Sequence, residues 1–313
     1  MRITWKNCFN TEKQAYLPVS VVIVNHNAGL LLITCIQAAL RQAAQIIVVD
    51  NASSDASLAA LSSHFSAESR LTVIRNTHNA GFAAGCNQGL HVATAPYILF
   101  LNPDCILAEN TLKHLLRVLE SDPCIGMTGG RLINPDGTEQ GGGRRAIPTP
   151  WRSFVRAFGL YRLGKYWPRL FPDFHLHQQS LPRTPIEVEA ISGALMLTRQ
   201  TTIREIGLWD EHYFLHCEDL DWCMRFRQKN WKIYFVPDAP ALHYQGTCSR
   251  TRPFFVAWHK HKGMLRFYQK FFRHQYPGLL MWLVAWGIWL RFGGLVLLYG
   301  VRHLYQQLRT KHA

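Results

Sequence analysis

Residues 19–50, VSVVIVNHNAGLLLITCIQAALRQAAQIIVVD, contain a complete strand–helix–strand unit. VSVVIVN (19–25) and QIIVVD (45–50) are short runs rich in Val and Ile, which suit a pleated sheet, and the stretch 29–44 between them is amphipathic. The unit recurs along the chain. LTVIRN (71–76) follows a second amphipathic stretch at 55–66, PYILFLN (96–102) follows a third at 81–93, and a fourth spans 109–121. Four repeats of strand then helix predict an α/β fold whose sheet is largely parallel with right-handed crossovers. The near-continuous apolar character of the strands predicts helices on both faces.

Beyond residue 130 the pattern loosens. Residues 134–150, NPDGTEQGGGRRAIPTP, read as a mobile loop because a Gly triplet and three Pro discourage regular structure. Between Arg144 and Arg169 seven bases and no acids alternate with Trp151, Phe154, Phe158, Tyr161 and Trp167. That mixture suits an interfacial membrane helix, and single-stranded nucleic-acid grooves use the same residue types. Regular structure resumes with IEVEAISGALMLTR (186–199), a helical EDLDWCMRFRQ (218–228) and a strand at WKIYFVP (231–237).

In open α/β sheets ligands bind beyond the carboxyl ends of the strands. Those ends here are Asn25-His26-Asn27, Asp50-Asn51, Asn76 to Asn79 and Asn102-Pro103-Asp104, all polar. Turn and cap chemistry explains any one of them; four together point to a ligand site. A carboxylate at Asp50 suits a nucleobase or ribose. Asp104, at the tip of an apolar strand, suits a divalent cation bridged to a diphosphate. Around Gly81, Gly85 and Gly89 small residues serve either close approach to a ligand or tight helix packing, and the spacing is not the dinucleotide fingerprint G-x-G-x-x-G.

Glu218-Asp219-Leu220-Asp221 puts three acids in a first helical turn, where they also complement the macrodipole. Asp221 and Arg225 are i,i+4 partners with Glu218 on the same face, so Asp219 is left as the free carboxylate for general-base work. His243 is one of fifteen His, raised above the others only by its place after a strand. The eight Cys contain no C-x-x-C pair and no compact Cys/His ligand set, so they read as reduced, mostly buried hydrophobes without zinc.

A net charge of +14 suggests nucleic acid, a membrane surface or an anionic substrate. The charge is local: residues 1–150 carry 11 bases and 10 acids, 151–239 carry 12 and 10, and 240–313 carry 11 and none. Length and 48% hydrophobic content exclude a disordered tail or a disulfide mini-scaffold. The first residues, MRITWKNCFNTEKQ, lack an apolar leader core, so the bulk of the protein is expected in the cytoplasm. GLLMWLVAWGIWLRFGGLVLLYG (278–300) is apolar apart from Gly and Arg291, and at 1.5 Å per residue it reaches ~34 Å. The bases Arg302, Arg309 and Lys311 beyond it favour a helix lying in the interface over one that spans. A buried helix of a soluble core is the alternative.

Taken in order, VSVVIVNHN, VVDNASSD, NAGFAAGCNQG, LFLNPDC, ISGALMLTR, GLWDEHYFLHCEDLDWCMR and ALHYQG resemble the family 2 glycosyltransferases, in particular a bacterial rhamnosyltransferase-like branch. The resemblance implies the GT-A fold, a Rossmann-like mixed sheet with helices on both faces. It covers residues 18–250, with a nucleotide-sugar half at 18–130 and an acceptor half at 131–250. A membrane-associated helical tail at 251–313 would follow. It implies donor contacts from Asn25, His26, Asn27, Asp50, Asn79, Gly81, Asn87, Asn102 and Asp104, and acceptor-side roles for Gly193, Glu218, Asp221, Trp222 and Arg225. Asp219 would be the base, and Mg²⁺ or Mn²⁺ would be held by Asp104 and His243, with Asn102 standing where the family's D-x-D has its first Asp. The implied reaction is inverting transfer of rhamnose or another hexose. The donor is a nucleoside-diphosphate sugar, dTDP-rhamnose favoured and UDP- or GDP-sugars also recognised on this scaffold. The acceptor is a lipid-linked saccharide at the cytoplasmic face of an anionic inner membrane, in cell-surface polysaccharide assembly, with no nucleic-acid partner. Two rivals are a polyprenyl-phosphate glycosyltransferase, which needs no strong base, and a non-catalytic basic protein binding membrane or nucleic acid.

Overall fold

The computed structural model describes residues 16–247 and 252–311, with side chains given as far as residue 301. The leaderless reading of residues 1–14, Cys8, Cys248 and the side chains of Arg302, Arg309 and Lys311 lie outside the described residues.

The strand–helix repeats form as their patterning predicts: β1 (Leu17–Asn25), α1 (Leu31–Leu40), β2 (Ala43–Asp50), α2 (Ser57–His64), β3 (Leu71–Arg75), α3 (Phe82–Val92), β4 (Tyr97–Leu101), then a short β5 (Cys105–Leu107) and α4 (Thr111–Ser121). β6 (Ile125–Ile133), β7 (Arg144–Arg145), α5 (Pro150–Ala157), β8 (Ile186–Glu187), β9 (Ala190–Ile191), β10 (Leu195–Arg199), α6 (Gln200–Ile206), α7 (Glu218–Gln228) and β11 (Lys232–His243) follow. Two further helices, α8 (Pro253–Phe272) and α9 (Gly278–Lys311), close the described chain.

The main sheet runs β3-β2-β1-β4-β10-β6-β11-β5, with β8 on β11. Its first four strands are parallel; β10 enters antiparallel to both β4 and β6, so the sheet is mixed. Successive side chains of β1 divide between two cores. Val21 and Ile23 face α1 and α4, while Val22 and Val24 face α3 and the helices of the second half. A Cβ at Gly85 or Gly89 would come within 2.7 Å or 2.3 Å of Val24 or Val22, so those two glycines serve packing rather than a ligand.

Three expectations need correction. Residues 134–150 are folded down rather than free. Asn134 N–H donates to Thr138 O, Gln140 and Arg144 are buried, and β7 pairs antiparallel with β9. The Arg144–Arg169 segment is not one amphipathic helix but β7, the eight-residue α5 and a 3-10 turn at Leu160–Lys165. Four of its seven bases are spent on acids: Arg144 on Glu139, Arg145 on Asp219, Arg152 on Glu189 and Arg156 on Asp173. The packed body also does not end at 250, because Phe267, Tyr268, Phe271 and Phe272 of α8 belong to the same core as Trp209 and Trp222. In α9 Ile288 joins that core and Met281 and Val284 pack against it, but Leu279, Trp282, Leu283, Trp286, Leu290 and Leu297 are exposed, which sets aside a fully buried soluble-core helix.

Candidate active site

The loops after β1 and β2 interlock. Asn25 is fully buried, and its Nδ2 donates to Asp50 Oδ1 (2.7 Å), Ser53 Oγ and Ser57 Oγ. Asp50, 1% exposed, also accepts from the Ser53 hydroxyl and amide. Asn27 adopts positive φ, and its Oδ1 accepts from the Ser54 and Asp55 amides. His26 Nδ1–H donates to Asn51 O at 2.8 Å. These bonds tie the loops after β1 and β2 to each other at the carboxyl edge of the sheet. The side chains of Asn25 and Asp50 are both buried and hydrogen-bonded within this interlock.

Asn79 Oδ1 accepts the Gly81 amide, and Gly81 (φ +93°) sits so close to Phe214 that a Cβ would lie 2.7 Å from its carbonyl oxygen. Asn87 is buried: its Nδ2 donates to Trp209 O and Glu211 Oε1, and its Oδ1 accepts the Trp209 amide. It staples α3 to the loop that holds Trp209 and Glu211.

The Asn102-Pro103-Asp104 turn and His243 do meet, because β11 pairs with β5 and sets His243 opposite Cys105. Asp104 Oδ1 lies 3.2 Å from His243 Nε2, both side chains nearly buried, and Asn102 Nδ2 lies 3.3 Å from the same Nε2. Gln140, which sequence reasoning missed, fixes the imidazole: its Oε1 is 2.6 Å from Nδ1, while its Nε2 donates to Asn134 Oδ1. An acceptor at Nδ1 fixes the ring with Nε2 turned toward Asp104. Two electron-rich atoms 3.2 Å apart fit a shared cation. An O,N pair leaving positions for phosphate oxygens and water suits Mg²⁺ or Mn²⁺. Among the described residues no third His, Cys, Asp or Glu joins them.

Helix α7 begins from two consecutive left-handed non-glycine residues, His216 (φ +69°) and Cys217 (φ +73°), a strained entry of order 1 kcal/mol or more per residue. Burial, followed by the Lys260 charge, lowers the His216 pKa to about 4, so that ring is neutral. Asp219 leaves this entry toward Gly193, whose amide donates to its Oδ2 at 3.2 Å, and its Oδ1 accepts the Leu220 amide. It is not the free carboxylate the spacing predicts, because the Arg145 guanidinium pairs with Oδ2. The neighbouring residue joins the two halves of the site: Ala194 O accepts the Asn102 amide while Gly193 N–H holds Asp219.

Of the other acceptor-side candidates, Glu218 is buried beside Asp219 with Oε2 unpartnered. Three belong to the scaffold instead. Asp221, fully buried, pairs with Arg225 and with Lys270 of α8. Trp222 stacks on Trp209 with centroids 4.3 Å apart, and Arg225 also donates to Ile206 O. Burial of α7's inner face by α6 and α8 commits them there.

The chain belongs to glycosyl transferase family 2, whose model matches residues 20–187. It is 28% identical over 149 residues to an N-acetylglucosaminyl-diphospho-decaprenol L-rhamnosyltransferase of Mycobacterium tuberculosis, covering 48% of this chain and 47% of that one. To the rhamnosyltransferase WbbL of Escherichia coli it is 25% identical over 180 residues, covering 53% and 60%. The chain thus spans about half the length of these curated relatives. Two solved structures share the GT-A fold. GalNAc-T7, solved with UDP, GalNAc and Mn²⁺, has TM-score 0.55 and 21% identity over 74% of this chain and 44% of that one. The mannosyltransferase PcManGT of Pyrobaculum calidifontis, solved with GDP-Man and Mn²⁺, has TM-score 0.54 and 14% identity over 95% and 83%.

Proposed function

We propose that this glycosyltransferase moves a hexose, rhamnose in the first instance, from a nucleoside-diphosphate donor to a hydroxyl of a lipid-linked saccharide with inversion. The observation that carries the reading is the bridge at Gly193-Ala194, one residue of which holds Asp219 and the next the Asn102-Pro103-Asp104 turn. Asp219 takes the proton of the acceptor hydroxyl as its oxygen attacks the anomeric carbon from the face opposite the diphosphate. A divalent cation held by Asp104 and His243 would supply charge stabilisation to the leaving diphosphate, so a second, acidic carboxyl is not required. The two rhamnosyltransferase relatives favour rhamnose as the sugar, and the one named for N-acetylglucosaminyl-diphospho-decaprenol favours a polyprenyl-diphosphate saccharide as acceptor; dTDP-rhamnose is the donor to test first. The exposed apolar face of α9 and the base-rich, acid-free C-terminal region favour work at an anionic cytoplasmic membrane surface.

Asp219→Asn is expected to abolish transfer while donor affinity, read by calorimetry across dTDP-, UDP- and GDP-sugars with Mn²⁺, stays within a fewfold. A fully active variant would favour a phosphate rather than a hydroxyl acceptor. Joint loss of binding and activity would move Asp219 into the donor site.

A further inference from the structure

Arg145 is an internal cation whose bonding is incomplete. It ends β7, where pairing with Ala190 of β9 and a bridge to His175 fix its backbone. One amino group pairs with Asp219 Oδ2 and reaches Ile191 O at 3.4 Å, while its buried Nε–H meets no acceptor among the described residues. Its side chain is 18% exposed and that of Asp219 15%, so water screens the pair poorly. A buried ion pair adds little net stability over an apolar pair, so this one asks for another account. The same segment reaches the metal-suited pair: five residues before Arg145, Gln140 holds His243, and only Gly141, Gly142, Gly143 and Arg144 lie between.

We propose that Arg145 is a positioning residue for Asp219 and the counter-charge that the departing diphosphate meets, its unfilled Nε–H being the donor reserved for a phosphate oxygen. This rests on Asp219 being the base. Before reaction, guanidinium and carboxylate neutralise each other. As the acceptor O–H proton passes to Asp219, the acceptor oxygen bonds to the anomeric carbon, and the bond from that carbon to the diphosphate oxygen breaks with its electron pair leaving on the diphosphate. Negative charge thus disappears from Asp219 in the step in which it grows on the leaving group. Arg145, relieved of one partner, faces the other without a new charge being drawn from water.

The test uses the full chain, with whichever of dTDP, UDP or GDP it binds. Arg145→Gln is expected to lower kcat ~10²-fold, in the range for losing one preorganised transition-state donor. Affinity for the free nucleoside diphosphate should fall about tenfold while affinity for the nucleotide-sugar changes by less than threefold, because only the former carries the leaving group's charge. Arg145→Lys, which keeps the charge without the fork, should restore part of kcat and most of the diphosphate affinity. A merely structural Arg145 would lower the melting temperature and weaken both ligands alike, in the Lys variant too if the Gln variant does not fold, and that result overturns the proposal. So does an Arg145→Gln enzyme with wild-type kcat. An inactive Asp219→Asn beside a fully active Arg145→Gln discards the role of Arg145 alone, whereas an active Asp219→Asn discards the base on which it rests.

Discussion

Glu218 sits one residue from Asp219, its carboxyl buried and one oxygen without a partner. Burial, followed by the neighbouring Asp219 charge, raises its pKa well above the usual carboxylate range. A raised folded-state value means that ionisation costs more in the folded than in the unfolded chain. Stability is therefore lost as pH rises from the ordinary Glu value, about 4.3, toward the raised one. Glu218→Gln cannot ionise. Its melting temperature should match the wild type near pH 4 and exceed it increasingly toward pH 8, and a wild type that stays the more stable across that range would refute this. At this scale the sequence showed some partners and hid others. Asp104 and His243 were paired only through the family resemblance, and the pairing of β11 with β5 is what sets them 3.2 Å apart. Arg145 was not legible, because its partner lies 74 residues away and is reached only through the two-residue pairing of β7 with β9. Gln140 was hidden for the same reason, 103 residues from His243.

Helices and strands were legible in proportion to how strictly their pattern repeats. β1 to β4 and α1 to α4 match their apolar runs to within a few residues, since each run is bounded by Asn, Asp or Gly. α7 begins and ends where its composition says, yet its surroundings could not be read: α6 and α8 bury the face that was expected to meet an acceptor. Trp222 shows the consequence. It is 0% exposed, stacked on Trp209, edge-on to Phe100 and Phe226, and donates from Nε1 to Gly207 O. Trp222→Ala should cost about 3–5 kcal/mol, read from the urea midpoint, with Trp222→Phe recovering much of it. A stable Trp222→Ala that has lost only acceptor affinity would restore the acceptor-side role.

At the scale of the whole molecule the basic excess lies after residue 240. The eleven bases after residue 240 are not all free for an anionic surface: Arg266 and Lys270 pair with Asp210, and Lys270 also with Asp221 at 2.5 Å. Those hydrogen bonds outweigh the opposing burial and hold the Asp210 carboxyl far below the usual range. The packed body therefore runs through α8. A chain ending after Tyr276 should fold, bind donor and stay in solution without detergent, while losing the affinity for anionic vesicles that the full chain shows. One ending at 250 bares the Phe267–Phe272 face and should aggregate. Equal vesicle affinity with and without α9 would defeat the anchoring part of this expectation.

α8 touches both sides of that division. Its inner face is bolted to α7 through Lys270, and its outer aromatics grip α9, Trp258 against Trp289 and Phe254 against Tyr299. It is a bracket and not a leash. A catalytic body on a flexible leash can swivel above whatever surface its anchor rests on, whereas one bolted to its anchor keeps a single tilt. The orientation of the packed body relative to α9 is then decided when the chain folds.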